Sequence, residues 1–187
     1  MRLTTGLVAL WAISSGLVAA GEAPLRAWVD VPPPRRLPAP PPVYPAIAAQ
    51  ARVQAILVLR VTVGPDGHPA EVKIERGVPL FDEAALRAVR GWRYEATVID
   101  GVPRSVMLYQ PILFTLTATV ADLIGEWAEG LRSKDRWALD GKMWAVEKLQ
   151  SLLPTETAAA TKRLEKLASD PDERVAGAAK AALANQP

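Results

Sequence analysis

Side chains able to do acid, base, nucleophilic or metal chemistry are few in this sequence. Of 187 residues none is cysteine and one, His68, is histidine, which removes thiolate nucleophiles, cysteine zinc sites, disulfides and lipidated cysteines together. His68 follows the turn signature Gly64-Pro65-Asp66-Gly67, so it reads as a solvated loop residue and not as a general base. Asp170, Asp172 and Glu173 form an acidic cluster, but their spacing lacks the ligand set of a calcium loop. With Pro171 between them they make a helix start instead. The 22 Lys and Arg residues alternate with 20 acids. Net charge is +1 over residues 44–117 and −1 over 118–187, so no basic patch supports nucleic-acid binding. The expectation is a protein without catalytic residues, cofactor or metal, which works by recognition.

The elements that would carry recognition follow from composition and periodicity. Half of the chain is hydrophobic and 22% is charged, as in ordinary globular proteins. After Met1 and Arg2 the chain is uncharged from Leu3 to Gly21. Residues 1–20 read either as a signal peptide cut before Gly21 or as an uncleaved membrane anchor. Both place the remainder outside the cytoplasm, either secreted across the membrane or anchored to it. Between Pro32 and Pro45, eight of fourteen residues are proline, which favours an extended polyproline II segment, and residues 21–43 read as a stalk.

Residues 46–52 suit a short helix started by Pro45. In residues 55–63, Leu57, Leu59, Val61 and Val63 alternate with Ile56, Val58, Arg60 and Thr62, the pattern of a strand. The turn at 64–67 leads into an alternating strand over 70–76. From Pro79 the period becomes helical, with Leu80, Ala84, Ala85, Ala88, Val89 and Trp92 in one stripe. Asp82 and Glu83 in its first turn and Arg87, Arg90 and Arg93 near its end complement the helix dipole. A turn at 99–102 precedes an apolar run from Arg104 to Leu116. Pairing the last strand beside the first gives sheet order 2-1-3. The fold class is therefore α+β, a small three-stranded antiparallel sheet with helices over residues 44–117.

Residues 118–187 form an all-α helical-hairpin extension. Thr119 with Asp122 reads as a capping box before a stripe of Leu123, Trp127 and Leu131. A second stripe runs through Trp137, Gly141, Trp144, Ala145, Leu149 and Leu152. The third contains Ala160, Leu164, Leu167 and Ala168, and the fourth Val175, Ala178, Ala179, Ala182 and Leu183. Both faces of the sheet are apolar in part. These helices, with Trp127, Trp137 or Trp144, are therefore expected to cover the face left open by the first helix.

In order along the chain, Tyr44-Pro45, "PDG" at 65–67, "FDEAALRAVRGWRY" at 81–94, "DGVP" at 100–103 and "PILF" at 111–114 resemble the landmarks of the carboxy-terminal domain of TonB-family proteins. The tail is more loosely similar to HEAT-like helical repeats, in "LASDPDERVAGAAKAAL" at 167–183 and "LRSKDRWALDGKMWAVEKL" at 131–149. The first resemblance implies a periplasmic module whose last strand is an exposed edge. That edge takes up a short peptide of an outer-membrane TonB-dependent receptor by strand addition. Here the docking stretch would be Arg104, Ser105, Val106, Met107, Leu108, Tyr109 and Gln110, because backbone groups on an edge give affinity and side chains add selectivity.

The sequence also departs from the family. Ala55 stands where glycine is usual, Ala96 where proline is frequent, and Pro42 and Val43 replace a polar pair. The apolar amino terminus has no histidine of the kind that energy-coupled members use with an ExbB/ExbD-type motor, and the stalk is short. Two functions therefore stand open: a TonB-like transport component that docks transporter peptides, possibly coupling inner-membrane energy to transport, or an exported, non-energised scaffold that binds other envelope proteins through its edge strand and helical tail.

Overall fold

A computed structural model describes residues 23–117 and 119–185; the apolar segment 1–20 lies outside the described residues. Six strands and six helices follow one another as β1 (Leu25–Arg26), α1 (Ala46–Gln50), β2 (Ala55–Val63), β3 (Pro69–Arg76), α2 (Asp82–Arg90), β4 (Thr97–Ile99), β5 (Val102–Arg104), β6 (Val106–Phe114), α3 (Ala121–Glu129), α4 (Ala138–Leu152), α5 (Thr157–Leu167) and α6 (Glu173–Ala184).

Why β2 sits at the centre is visible in its composition. Seven of its nine residues are Val, Ile, Leu or Ala, and a strand apolar on both faces is stable only where both are covered. It pairs antiparallel with β3 on one side and with β6 on the other. The hairpin between β2 and β3 turns at Gly67, whose φ is 77°. A Cβ there would stand 2.2 Å from the carbonyl oxygen of Tyr94, so both the backbone sign and the space demand glycine. Asp100 and Gly101, at φ 50° and 79°, make the two-residue turn of the β4–β5 hairpin.

The sheet has one strand more than the periodicity implies. Its order is β1-β6-β2-β3, and β1 runs parallel to β6, with Leu25 opposite Val106 and Arg26 opposite Met107. Two residues carry no readable alternation, so β1 is invisible in the sequence. The segment read as a stalk lies against the folded part. Leu37 donates its backbone N–H to the carbonyl of Arg93 at 2.8 Å, Glu95 donates to that of Arg35 at 2.9 Å, and the Arg36 guanidinium stacks 4.2 Å from the Trp92 ring centre.

Two apolar cores result. In the first, Leu57, Leu59, Val61, Leu108, Ile112 and Phe114 from the sheet pack on Phe81, Ala85 and Val89 around α2. The second joins Ile124, Val146, Leu149, Leu164, Val175 and Ala179 from α3 to α6. Each such fully buried aliphatic side chain contributes about 2 kcal/mol. The helices cover the sheet face turned away from α2: Leu113 packs with the helical core, and Tyr109 meets the Trp137 ring edge-on at 6.5 Å. Among the described residues no helix is long and apolar enough to cross a membrane.

The start of α3 departs from the sequence reading. Val120 occupies the cap position, and no side chain of the first turn caps the helix. Glu156 from the α4–α5 connection does so instead, accepting the N–H groups of Val120 and Ala121 at 2.8 to 2.9 Å. The buried residues of α3 are Ala121, Ile124, Gly125 and Ala128; of the expected stripe, Leu131 is buried and Trp127 packs against this core, while Leu123 is half-buried. On the opposite helix Arg163 reaches across to Asp122, Glu126 and Glu129, each at 2.9 Å.

Candidate functional site

The stretch Arg104–Gln110 divides by parity. Leu25 donates its N–H to the carbonyl of Ser105 and Ala27 to that of Met107, both at 2.9 Å. Tyr109 donates its own N–H to Oδ1 of Asp140, also at 2.9 Å. The backbone groups of the odd-numbered residues of β6 therefore point away from β2, and those of the even-numbered residues point toward it, as an antiparallel ladder requires. Pro111 shares the outward parity, so its missing N–H costs no bond to β2.

Of the seven expected docking residues, Ser105, Met107 and Tyr109 present backbone groups to the outer edge. Val106 and Leu108 are 1% and 6% exposed in the first core, and Gln110 lies opposite Leu59 of β2. Arg104 ends β5 and lies opposite Thr97. The expected exposed edge is not free in this structure: β6 lies between β2 and an extended segment of the same chain.

Three groups that the sequence reading did not select complete the site. Arg26 directs Nη1 and Nη2 onto Oδ1 and Oδ2 of Asp140 at 3.0 and 2.7 Å, and Nη2 also donates to the carbonyl of Arg136 at 3.1 Å. Its guanidinium lies 4.5 Å from the centre of the Tyr109 ring. The Asp140 side chain is 1% exposed and that of Arg26 20%, so the pair is bidentate, largely desolvated and short. Asp140 stands in the first turn of α4, where the helix dipole also favours a carboxylate. A signal for it existed: Asp140 falls three residues after Trp137 and four before Trp144, inside the buried stripe, where an acid requires a partner.

The outward groups of β1 are themselves consumed. Arg26 donates its N–H to Oδ2 of Asp30 at 2.7 Å, and Asp30 returns its N–H to the Arg26 carbonyl at 2.9 Å. Trp28 takes a positive φ of 65° in this turn, and its carbonyl receives Nη1 of Arg174 at 2.9 Å. The sheet thus stops at β1 without presenting a further edge. Beyond Asp140, a cleft of about 730 Å³ opens along residues 108–113 of β6, walled by Trp28, Arg36, Pro41, Trp144 and Lys148.

No cluster of His, Asp or Glu able to hold a metal ion occurs among the described residues. His68 lies on the β2–β3 turn with its Nδ1 3.4 Å from an Asp66 carboxylate oxygen, half exposed. Backbone donation from His68 keeps the Asp66 carboxyl below its ordinary value.

Residues 40–116 match the family model for the Gram-negative bacterial TonB protein C-terminal. The Protein TonB of Xanthomonas campestris pv. campestris (strain B100) is 32% identical over 78 residues, covering 41% of this chain and 35% of the relative. The Protein TonB of Vibrio cholerae serotype O1 is 26% identical over 77 residues, covering 40% and 32% respectively. The chain thus spans about a third of the length of the curated relatives it matches. A solution NMR structure of the Pseudomonas aeruginosa TonB CTD is similar at 26% identity and a TM-score of 0.37, over 46% of this chain and 88% of that one.

Proposed function

We propose, from the match of residues 40–116 to the TonB C-terminal family model, that this is a periplasmic, non-enzymatic envelope protein that takes up extended peptides of outer-membrane transporters by strand addition along β6. The observation that carries the reading is the seating of β1. Residues 25–27 lie parallel along the outer side of β6 through donors at 2.9 Å, the geometry that an incoming peptide would use. Main-chain bonds give such docking its affinity, and the side chains beside them give selectivity.

The second reading, a scaffold that binds without transmitting force, is favoured over motor coupling by the course of residues 32–43. A stalk has to leave the domain in order to reach or pull. This segment instead lies against it, bonded to Arg93 and Glu95. An ExbB/ExbD-type motor has no support from these residues.

Isothermal titration with synthetic receptor peptides tests the docking. Met107→Pro removes an N–H of outward parity, as Pro111 does four residues on, and leaves the β2 ladder intact. Peptide binding by the wild type and its loss in a folded Met107→Pro protein is the expected result. Equal binding by the two would place the docking surface elsewhere.

A further inference from the structure

We propose that the outer edge of β6 selects an incoming strand for an arginine in the position that Arg26 now fills, with Asp140 as the specificity-determining carboxylate. The inference rests on the strand-addition reading and goes beyond it by naming the chemistry of the partner. Neither β1 nor Asp140 lies within residues 40–116, the part of the chain that matches the family model. The selection is therefore a property of this chain's own additions to the domain.

The argument starts from the cost of leaving Asp140 alone. Its side chain is 1% exposed, and without Arg26 its described hydrogen-bond donors reduce to the N–H of Tyr109. A buried carboxylate with one neutral donor is strongly unfavourable, whereas one held by a bidentate guanidinium is not. Any segment that displaces β1 also takes Arg26 away, so the newcomer must bring a cation to the same place.

The surroundings specify which cation. The present occupant satisfies both carboxylate oxygens, reaches the carbonyl of Arg136 and lies over the Tyr109 ring at 4.5 Å. A planar fork does all of this, and a lysine ammonium, a point charge, does not. The neighbouring positions narrow the partner further. Ala27, the residue that follows β1, is 0% exposed and leaves no room for a larger side chain, while Leu25 packs on the first core. The edge thus fits an extended segment of the form apolar, arginine, small, paired parallel to β6. Residues 25–27 are the occupant held in cis, and an outside segment competes with them, which lowers its apparent affinity by the fraction of molecules with the edge closed.

The test uses a fluorescent peptide copying residues 23–31 and its Arg26→Gln and Arg26→Lys counterparts, titrated by anisotropy against the full chain. In the chain, Leu25→Pro removes the N–H that donates to Ser105 and loosens the resident strand. The arginine peptide is expected to bind Leu25→Pro at least tenfold more tightly than wild type. The glutamine and lysine peptides should bind it at least tenfold more weakly, and Asp140→Asn should bring all three within about threefold of one another. Equal binding of the three peptides to Leu25→Pro would overturn arginine selection and leave strand addition standing. No binding of any peptide would overturn strand addition itself. A full chain carrying Arg26→Gln, which keeps every backbone donor of β1, provides a second measurement should Leu25→Pro fail to fold. A tenfold gain for the arginine peptide over wild type is expected there, and no gain overturns the proposal.

Discussion

Tyr109 of β6 and Asp140 of α4 are joined by a 2.9 Å hydrogen bond from the backbone of one to the side chain of the other, 31 residues apart in sequence. Because the same carboxylate also holds Arg26, one buried group ties together the segment before the domain, the edge of its sheet and the helical extension. The three parts should therefore behave as one cooperative unit. Arg26→Ala is expected to cost about 2 kcal/mol, discounted for the partial exposure of the arginine, and Asp140→Ala about 3 kcal/mol. Their double variant should cost less than the sum, since each single change orphans the other charge. Additive values in urea unfolding would show that the pair is not coupled.

How far the sequence reveals this arrangement depends on the range of the forces involved. β2 ends at the same residues by alternation and by structure, Ala55 and Val63, because its pattern is a local response to two covered faces. The β4–β5 turn is equally legible, since Asp100-Gly101 carries its own conformational preference. β1 is not legible: its two residues are a strand only because β6 lies beside them. The cap of α3 is a similar case. Thr119 and Asp122 have the right spacing, but Glu156 supplies a longer side chain from across the helical unit and takes both N–H groups. Val106–Gln110 is readable as a strand, although Arg104 belongs to β5 and Ser105 lies between the two strands, whereas the segment lying on its outer side is not.

Gly67→Ala should destabilise the domain by about 3 kcal/mol, combining a positive φ with a backbone clash. The relevant neighbour is the carbonyl of Tyr94, 2.2 Å from the added carbon, and Tyr94 also donates its N–H to the Gly67 carbonyl at 2.9 Å. The β2–β3 turn and the end of α2 would have to separate. A chemical denaturation midpoint unchanged within error would show that the turn yields without cost.

Glu156→Ala should lower stability by about 1–2 kcal/mol, because it leaves the first N–H groups of α3 without their acceptor and removes an anion from the positive end of the helix. Glu156→Gln keeps one acceptor oxygen and should lose less. Thermal unfolding of the three proteins, followed by circular dichroism, would give the order wild type, Gln, Ala. The reverse order of the two variants would mean that charge burial outweighs capping.

Asp172 is held below its ordinary value of 3.8 first by the side-chain hydrogen bond from Arg174; burial opposes this, and the backbone N–H of Arg174 adds to the lowering. Because the folded value lies below the unfolded one, the stabilisation is complete above about pH 4 and is lost as the pH falls through the lower folded value. Arg174→Ala should raise the Asp172 value toward 3.8 and reduce the acid sensitivity of α6. It should also free the carbonyl of Trp28, which receives Arg174 at 2.9 Å. NMR titration of the Asp172 carboxyl in both proteins gives the sign. No movement on substitution would remove Arg174 as the cause.

A chain ending at Thr117 should be less soluble and less stable than the full one. Tyr109 and Leu113 on β6 lie on the face that the helices cover, and without the helices they would join Ile56, Val58 and Pro111 in an apolar surface on a small domain. The same cut removes Asp140, so Arg26 loses its buried partner and the N–H of Tyr109 its acceptor. β1 would then hold to the edge only by its backbone bonds and the packing of Leu25 on the first core, too little to keep so short a strand in place. Self-association in sedimentation velocity, together with fast hydrogen exchange at Met107 and Tyr109, is the expected pair of results. The two separate the roles of the helices: self-association reports the uncovered face, and exchange reports the opened edge. A monomeric chain with a protected edge would assign the helices to neither.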